Sequence, residues 1–204
     1  MNLTTITDDF AEAIGRVDAT RPRAVSRRTG IAYREGIGPF SETEAVSLIT
    51  ADLRAHAPER YASQISTNVK YPGASRQKCD ICLGADPTWH WAIEVKLLRL
   101  MGDNGKPNNN MLMHLLSPYP QDRSALTDCT KLVASALGAR RAILVYGFDY
   151  PGLSMDAAVE AFEVLAGSAV QLGQRHTAVF TGLVHEVQNR GRVFAWEVAA
   201  FSTG

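Results

Sequence analysis

Asp80 and, fourteen residues later, Glu94-Val95-Lys96 are the residues of this chain whose types and spacing point to chemistry. Asp80 lies in the apolar run Cys79-Asp80-Ile81-Cys82-Leu83, and Glu94 and Lys96 interrupt the run Trp91 to Leu98. Between them Gly84-Ala85-Asp86-Pro87 reads as a turn, so the two runs read as a β-hairpin. Alternate residues of a strand share a face, which puts Glu94 and Lys96 on one side and Ile93, Val95 and Leu97 on the other. Charged groups inside an apolar strand are costly unless they are paired or bind something. A divalent metal held by Asp80 and Glu94, with Lys96 beside it, would use all three. Taken singly, each residue also has a plain structural reading. Asp80 could pair with Arg76 or Lys78, and Glu94 and Lys96 could be a solvent-facing pair worth under about 1 kcal/mol.

The elements that would position these residues follow from capping and periodicity. Residues Asp8 to Ala19 show an amphipathic helical pattern through Phe10, Ala13, Ile14 and Val17. Thr20 to Pro39, rich in Arg, Gly and Pro, reads as an irregular basic arm carrying Arg21, Arg23, Arg27, Arg28 and Arg34, with Arg16 just before it. Ser41 and Glu44 form a capping box for a helix to about His56, with Ala45, Leu48, Ile49 and Leu53 buried. Glu42 turns toward that buried stripe. It is either a member of the site or a first-turn acid favoured by the helix dipole. Gln64–Tyr71 reads as a strand, then come the two motif strands, a polar loop at Gly102–Asn110 and a helix from Asp122 or Ser124 to about Leu137. Leu126, Cys129, Leu132, Val133 and Ala136 form that helix's expected inner side. Ala142–Tyr146 reads as a fully buried strand, Met155–Leu172 as a long helix, and Thr177–Val187 and Arg192–Phe201 as two closing strands.

The Asp80, Glu94-x-Lys96 set in this element order resembles the PD-(D/E)xK nuclease superfamily, the restriction-endonuclease-like fold, over roughly Ser41 to Tyr150. Cys79 stands where the motif's proline would be. The resemblance implies an α/β fold with an α-β-β-β-α-β core, a central mixed sheet flanked by helices, and here an added C-terminal helix and two strands. It also implies Mg²⁺, with Mn²⁺ able to substitute, held by Asp80, Glu94 and the Val95 carbonyl. Lys96 would act on the attacking water and the phosphate, and Glu42 would join the site. Lys131, on the helix after the motif, would border it. The implied activity is hydrolysis of DNA phosphodiesters, as in a type II restriction or other defence endonuclease acting as a homodimer. The alternative is a catalytically inactive nuclease-like subunit for binding or assembly.

Composition sets the frame. With 204 residues, 46% hydrophobic and 21% charged, the chain is expected to form one domain. We divide it into an N-terminal helix and basic arm (1–40), a catalytic core (41–150) and a C-terminal elaboration (151–204). No apolar run approaches the roughly 20 residues of a membrane span and no signal pattern opens the chain, so the expected location is the cytoplasm. The 21 basic and 21 acidic residues cancel, so any attraction to nucleic acid must be local. Cys79, Cys82 and Cys129 are read as buried free thiols rather than zinc ligands, because residues three apart on a strand face opposite ways. His90 is read as a packing residue, and His114, His176 and His185 form no constellation. No motif for an organic cofactor is present.

Overall fold

The computed structural model describes residues 1–73 and 76–201. Helix α1 (Leu3–Ala19) starts at Leu3 rather than at the expected Asp8, because the Asn2 side chain caps it by accepting the Thr5 N–H and Leu3 and Ile6 extend the buried stripe. The basic arm is ordered into a ribbon, β1 (Arg23–Val25) and β2 (Ala32–Glu35), closed by a turn in which Gly30 N–H donates to the Ser26 carbonyl. Helix α2 (Glu42–His56) begins at the expected capping box, and the short α3 (Pro58–Tyr61) follows. Strands β3 (Ile65–Lys70), β4 (Lys78–Ala85) and β5 (Thr88–Leu98) come next, then α4 (Met113–Leu116), α5 (Ala125–Ala134) and β6 (Arg140–Phe148). The chain closes with α6 (Asp156–Gly167), β7 (Gln171–Leu172), β8 (His176–Thr181) and β9 (Arg190–Ala199).

Seven strands form one mixed sheet in the order β3-β4-β5-β6-β9-β7, with β8 also paired to β9. Only β5 and β6 run parallel. Alternation along β5 and β6 divides the core: Ile93, Val95, Leu144 and Tyr146 pack under α1 and α2, whereas Ala92, Ile143 and Val145 pack under α4, α5 and α6. The architecture is therefore mixed α/β, a central mixed sheet flanked by helices. Among the described residues no helix is long and apolar enough to cross a membrane.

Three expected boundaries move. Helix α6 stops at Gly167 rather than Leu172, since the glycine ends it and the next residues enter β7. The helix after the motif ends at Ala134, and its inward residues are Ala125, Asp128, Cys129 and Leu132, with Leu126 and Val133 only partly buried. Residues 182–187, expected as the end of a strand, are loop. The buried His185 ring accepts the N–H groups of Val187 and Gln188 at Nδ1, which removes both donors from any ladder.

That loop, the end of the ribbon and α1 are joined through one buried carboxylate. Asp18 accepts the Ile37 N–H at 2.9 Å and the Val184 N–H at 2.5 Å. Gly36, at φ +112, leaves room for it, because a Cβ there would lie 2.7 Å from Asp18 Oδ1. Asp18→Ala strands two buried N–H donors and is expected to cost about 2–4 kcal/mol, read by urea unfolding. A loss under 0.5 kcal/mol would show that the three segments hold together without it.

Candidate active site

The site begins where two paired strands part. The β4–β5 ladder runs from Ala85 opposite Thr88 to Ile81 opposite Ile93 and ends there, while β4 continues alongside β3 through Cys79 and Lys78. Asp80 lies just past the last paired residue, beside Glu42 of α2 and within reach of the β5 backbone. Past that point β5 keeps its parallel bonds to β6 but loses its other neighbour. Its two freed donors are taken by carboxylates: Val95 N–H donates to Asp80 Oδ2 and Leu97 N–H to Glu42 Oε2, both at 2.8 Å. Since N–H and C=O of one strand residue turn to the same edge, the Val95 carbonyl faces the same gap.

Glu42 reaches the gap because the capping box fixes the start of α2. Ser41 accepts the Glu44 N–H, and the Glu44 side chain in turn accepts the Ser41 N–H. Glu44 is thereby engaged as a cap, and Glu42, two residues earlier, lies 3.8 Å from Lys96 Nζ. A shallow pocket beside them is lined by Glu42, Thr43, Thr67, Asn68 and Asp80.

From the other side α5 contributes two residues. Lys131 Nζ lies 2.7 Å from Glu94 Oε1 and 2.5 Å from Asp128 Oδ1, and Lys96 Nζ lies 2.7 Å from Asp128 Oδ2. The last contact is close but off the hydrogen-bond direction, so the buried Asp128 Oδ2 has no aligned donor among the described residues. The Tyr71 hydroxyl donates to Glu94 Oε1 at 2.5 Å. Charges thus alternate along a chain running Glu42, Lys96, Asp128, Lys131, Glu94.

Burial and like charge act together on the acids. Glu94, 2% exposed, is held well above the usual carboxylate range by burial first and then by the charges of Asp128 and Asp80. Burial also raises Glu42, against the opposing pull of Lys96. For Lys96, burial works toward the neutral amine, but Glu42, Asp128 and Asp80 outweigh it and keep the ammonium charged. Lys131 is raised the same way by Glu94 and Asp128 against its own burial.

Sequence pattern pointed to Asp80, Glu94, Lys96, Val95 and Glu42, and the structure brings all five to this gap. It brings Lys131 as well. Asp128 and Tyr71 were missed. Asp128 has a signal in retrospect, since a helix places it with Cys129 and Leu132 rather than with the solvent face. Tyr71 has none, because only the β3–β4 return carries it to Glu94. The histidines stay outside: His90 and His114 are exposed, and His185 donates from Nε2 to Asp103 at 2.7 Å within the loop cluster. Cys79, Cys82 and Cys129 are buried free thiols. Contrary to strand parity, Cys79 and Cys82 pack in the same core. As β4 leaves β5, Cys79 Sγ sits 3.4 Å from the Ile81 and Ile93 carbonyls. Arg21, Arg23, Arg27 and Arg34 of the basic arm are exposed and each rests against a carboxylate, Arg21 and Arg23 on Glu35, Arg27 on Glu44 and Arg34 on Glu186.

Hard oxygens are the donors a divalent cation such as Mg²⁺ takes, usually with only one or two carboxylates from the protein. Asp80, Glu94 and the Val95 carbonyl supply such a set. Four carboxyl groups here (Asp80, Glu94, Glu42, Asp128) face two ammonium groups, an excess of acid that a bound cation would offset and that burial meets by pushing Glu94 toward its neutral form. Among the described residues no three His, Cys, Asp or Glu side chains gather into a ligand cluster. No protein-family model, curated protein or solved structure matches this chain. The two glutamates of α2 should separate by experiment. Glu44→Ala should cost about 0.5–2 kcal/mol in thermal unfolding as a lost cap, and Glu42→Gln should leave the helix start intact. Equal destabilisation by both would place Glu44 in more than a cap.

Proposed function

We propose that this chain is a metal-dependent nuclease of the restriction-endonuclease-like fold, hydrolysing phosphodiester bonds of DNA. One observation carries the reading: where β4 and β5 separate, Asp80 accepts the Val95 N–H at 2.8 Å and its charge acts on Glu94, with Lys96 beside them on β5. The order α2-β3-β4-β5-α5-β6 supports it, being the α-β-β-β-α-β core that the motif implies. The excess of acid at the gap supports it from a different direction.

Asp80, Glu94 and the Val95 carbonyl would hold Mg²⁺ or Mn²⁺. Such an ion, when bound, makes a nucleophile of a coordinated water and offsets charge on the phosphate. Lys96 carries a fixed positive charge on the same face. Its ammonium would orient the attacking water and stabilise the extra negative charge that develops on the phosphoryl oxygens. Asp128 restrains that ammonium, which removes the cost of ordering a long side chain at the moment of reaction. Lys131 and Tyr71 fix the Glu94 carboxylate from the α5 side and so set which way its oxygens face. One such site addresses one strand, so cutting both strands calls for a homodimer with two-fold symmetry matching the duplex. A stand-alone nuclease of this kind suits a restriction or other defence role.

The rival is a non-catalytic binding or assembly subunit. What favours it is that both ammonium groups already have carboxylate partners. The two readings separate on plasmid, linear duplex and single strands incubated with Mg²⁺, Mn²⁺, Ca²⁺ or EDTA. Cleavage is expected with Mg²⁺ and Mn²⁺, little with Ca²⁺ because its longer, looser coordination misplaces the water, and none in EDTA. Lys96→Met should reduce single-turnover cleavage by at least 100-fold. Undiminished cutting by that variant, or in EDTA, would transfer the activity to some other site.

A further inference from the structure

Building on the nuclease reading, we infer that the β1–β2 ribbon is the element that docks this site onto duplex DNA, entering the major groove. Thr20–Glu35 contains five arginines, Arg21, Arg23, Arg27, Arg28 and Arg34, against the single acid Glu35. The segment therefore stands at +4 and the rest of this neutral chain at −4. A phosphate backbone is attracted to such a local excess even when the whole molecule is neutral.

The ribbon has no core of its own. In β1 only Ala24 is buried, β2 has no buried residue, and Val25, Ile31 and Tyr33 are exposed at 58%, 68% and 39%. A two-stranded ribbon with so little burial is marginal by itself, and this one is held at its base. Gly36 N–H donates to the Pro22 carbonyl, and Arg34 N–H donates to Asp103 Oδ1. The turn residues Arg27 and Arg28 are exposed, and Arg28 has no ion pair among the described residues.

Its position is continuous with the site. Arg27 contacts Glu44 at 2.9 Å, two residues along α2 from Glu42, and Asp103 lies on the loop leaving β5. Between ribbon and loop is an open cleft of about 260 Å³ lined by Tyr33, Pro39, Arg99, Asp103, Asn104 and Asn108. A phosphate at Asp80, Glu94 and Lys96 thus belongs to a duplex that passes the ribbon. The present ion pairs do not block this. Arg23 and Arg27 keep 62% and 84% of their side-chain surface exposed, and pairs so exposed are weak enough for phosphates to displace. The major groove of B-form DNA is about 12 Å wide and admits a two-stranded ribbon, whereas the A-form groove of duplex RNA is too narrow.

The test is fluorescence anisotropy of a labelled DNA duplex, the same sequence as duplex RNA, and a single strand, in Ca²⁺ across a salt series. Wild type should favour the DNA duplex. Arg27→Ala/Arg28→Ala should lose tenfold or more in affinity and flatten the logarithmic salt slope by about 2, the value for two phosphate contacts. Ile31→Asp should weaken duplex binding too, by placing a carboxylate at the groove floor. Circular dichroism melts verify that each variant is folded. Unchanged duplex affinity in the variants, equal affinity for duplex RNA, or no duplex binding by wild type overturns the inference. Ribbon-dependent duplex binding without cleavage would instead count against the nuclease reading alone. Cleavage that ignores the ribbon would count against the ribbon alone.

Discussion

The structure turns on the unpaired edge of β5. A strand that loses a neighbour midway leaves N–H groups that must bond to something, and in this chain Asp80 and Glu42 accept those of Val95 and Leu97. Satisfying a backbone donor with a carboxylate brings negative charge into a place that burial makes hostile to it. The compensation comes from both flanks: Lys96 from β5 itself, and Lys131 from α5. Each lysine then needs the fixed partner that Asp128 provides. The alternating chain of charges is thus a consequence of where β4 leaves β5, and the helices α2 and α5 are placed to complete it.

On the proposed reading the cluster is more than a structural salt bridge. Buried ion pairs are poor sources of stability, since desolvation offsets most of their attraction. Two well-packed apolar side chains would serve the fold at least as well as Glu94 and Lys96. Here the chain retains four carboxylates against two ammonium groups, and Glu94 is driven toward its neutral form by burial and by Asp128 and Asp80. A cation restores balance to such a set and a protein core gains nothing from it. The expectation of metal chemistry rests on that imbalance, together with the hardness of the oxygen donors.

Much of this was legible in the sequence because it depends on short-range rules. Hairpin parity placed Glu94 and Lys96 on one face of β5, and the Ser41–Glu44 capping box both started α2 and distinguished Glu42 from Glu44. What was not legible depends on tertiary return. Tyr71 meets Glu94 only through β3–β4 pairing, and Asp128 becomes a site residue only once α5 lies across β5. The ribbon was hidden by an Arg-, Gly- and Pro-rich composition that reads as irregular, since its strands are held at their base by Asp103 and Asp18 contacts rather than by a hydrophobic pattern. Residues 182–187 were read as strand for the complementary reason. His185 follows the apolar pair Leu183-Val184 in the sequence and is a backbone acceptor in the fold.

The central claim is that Asp80 and Glu94 together hold a divalent cation. Isothermal calorimetry with Mn²⁺ in the absence of nucleic acid tests it without reference to turnover. The account predicts saturable binding by the wild-type chain, at least tenfold weaker in Asp80→Asn and in Glu94→Gln, and retained in Lys96→Met, whose ammonium is not a ligand. Absence of binding by the wild-type chain, or wild-type affinity in Glu94→Gln, would contradict it.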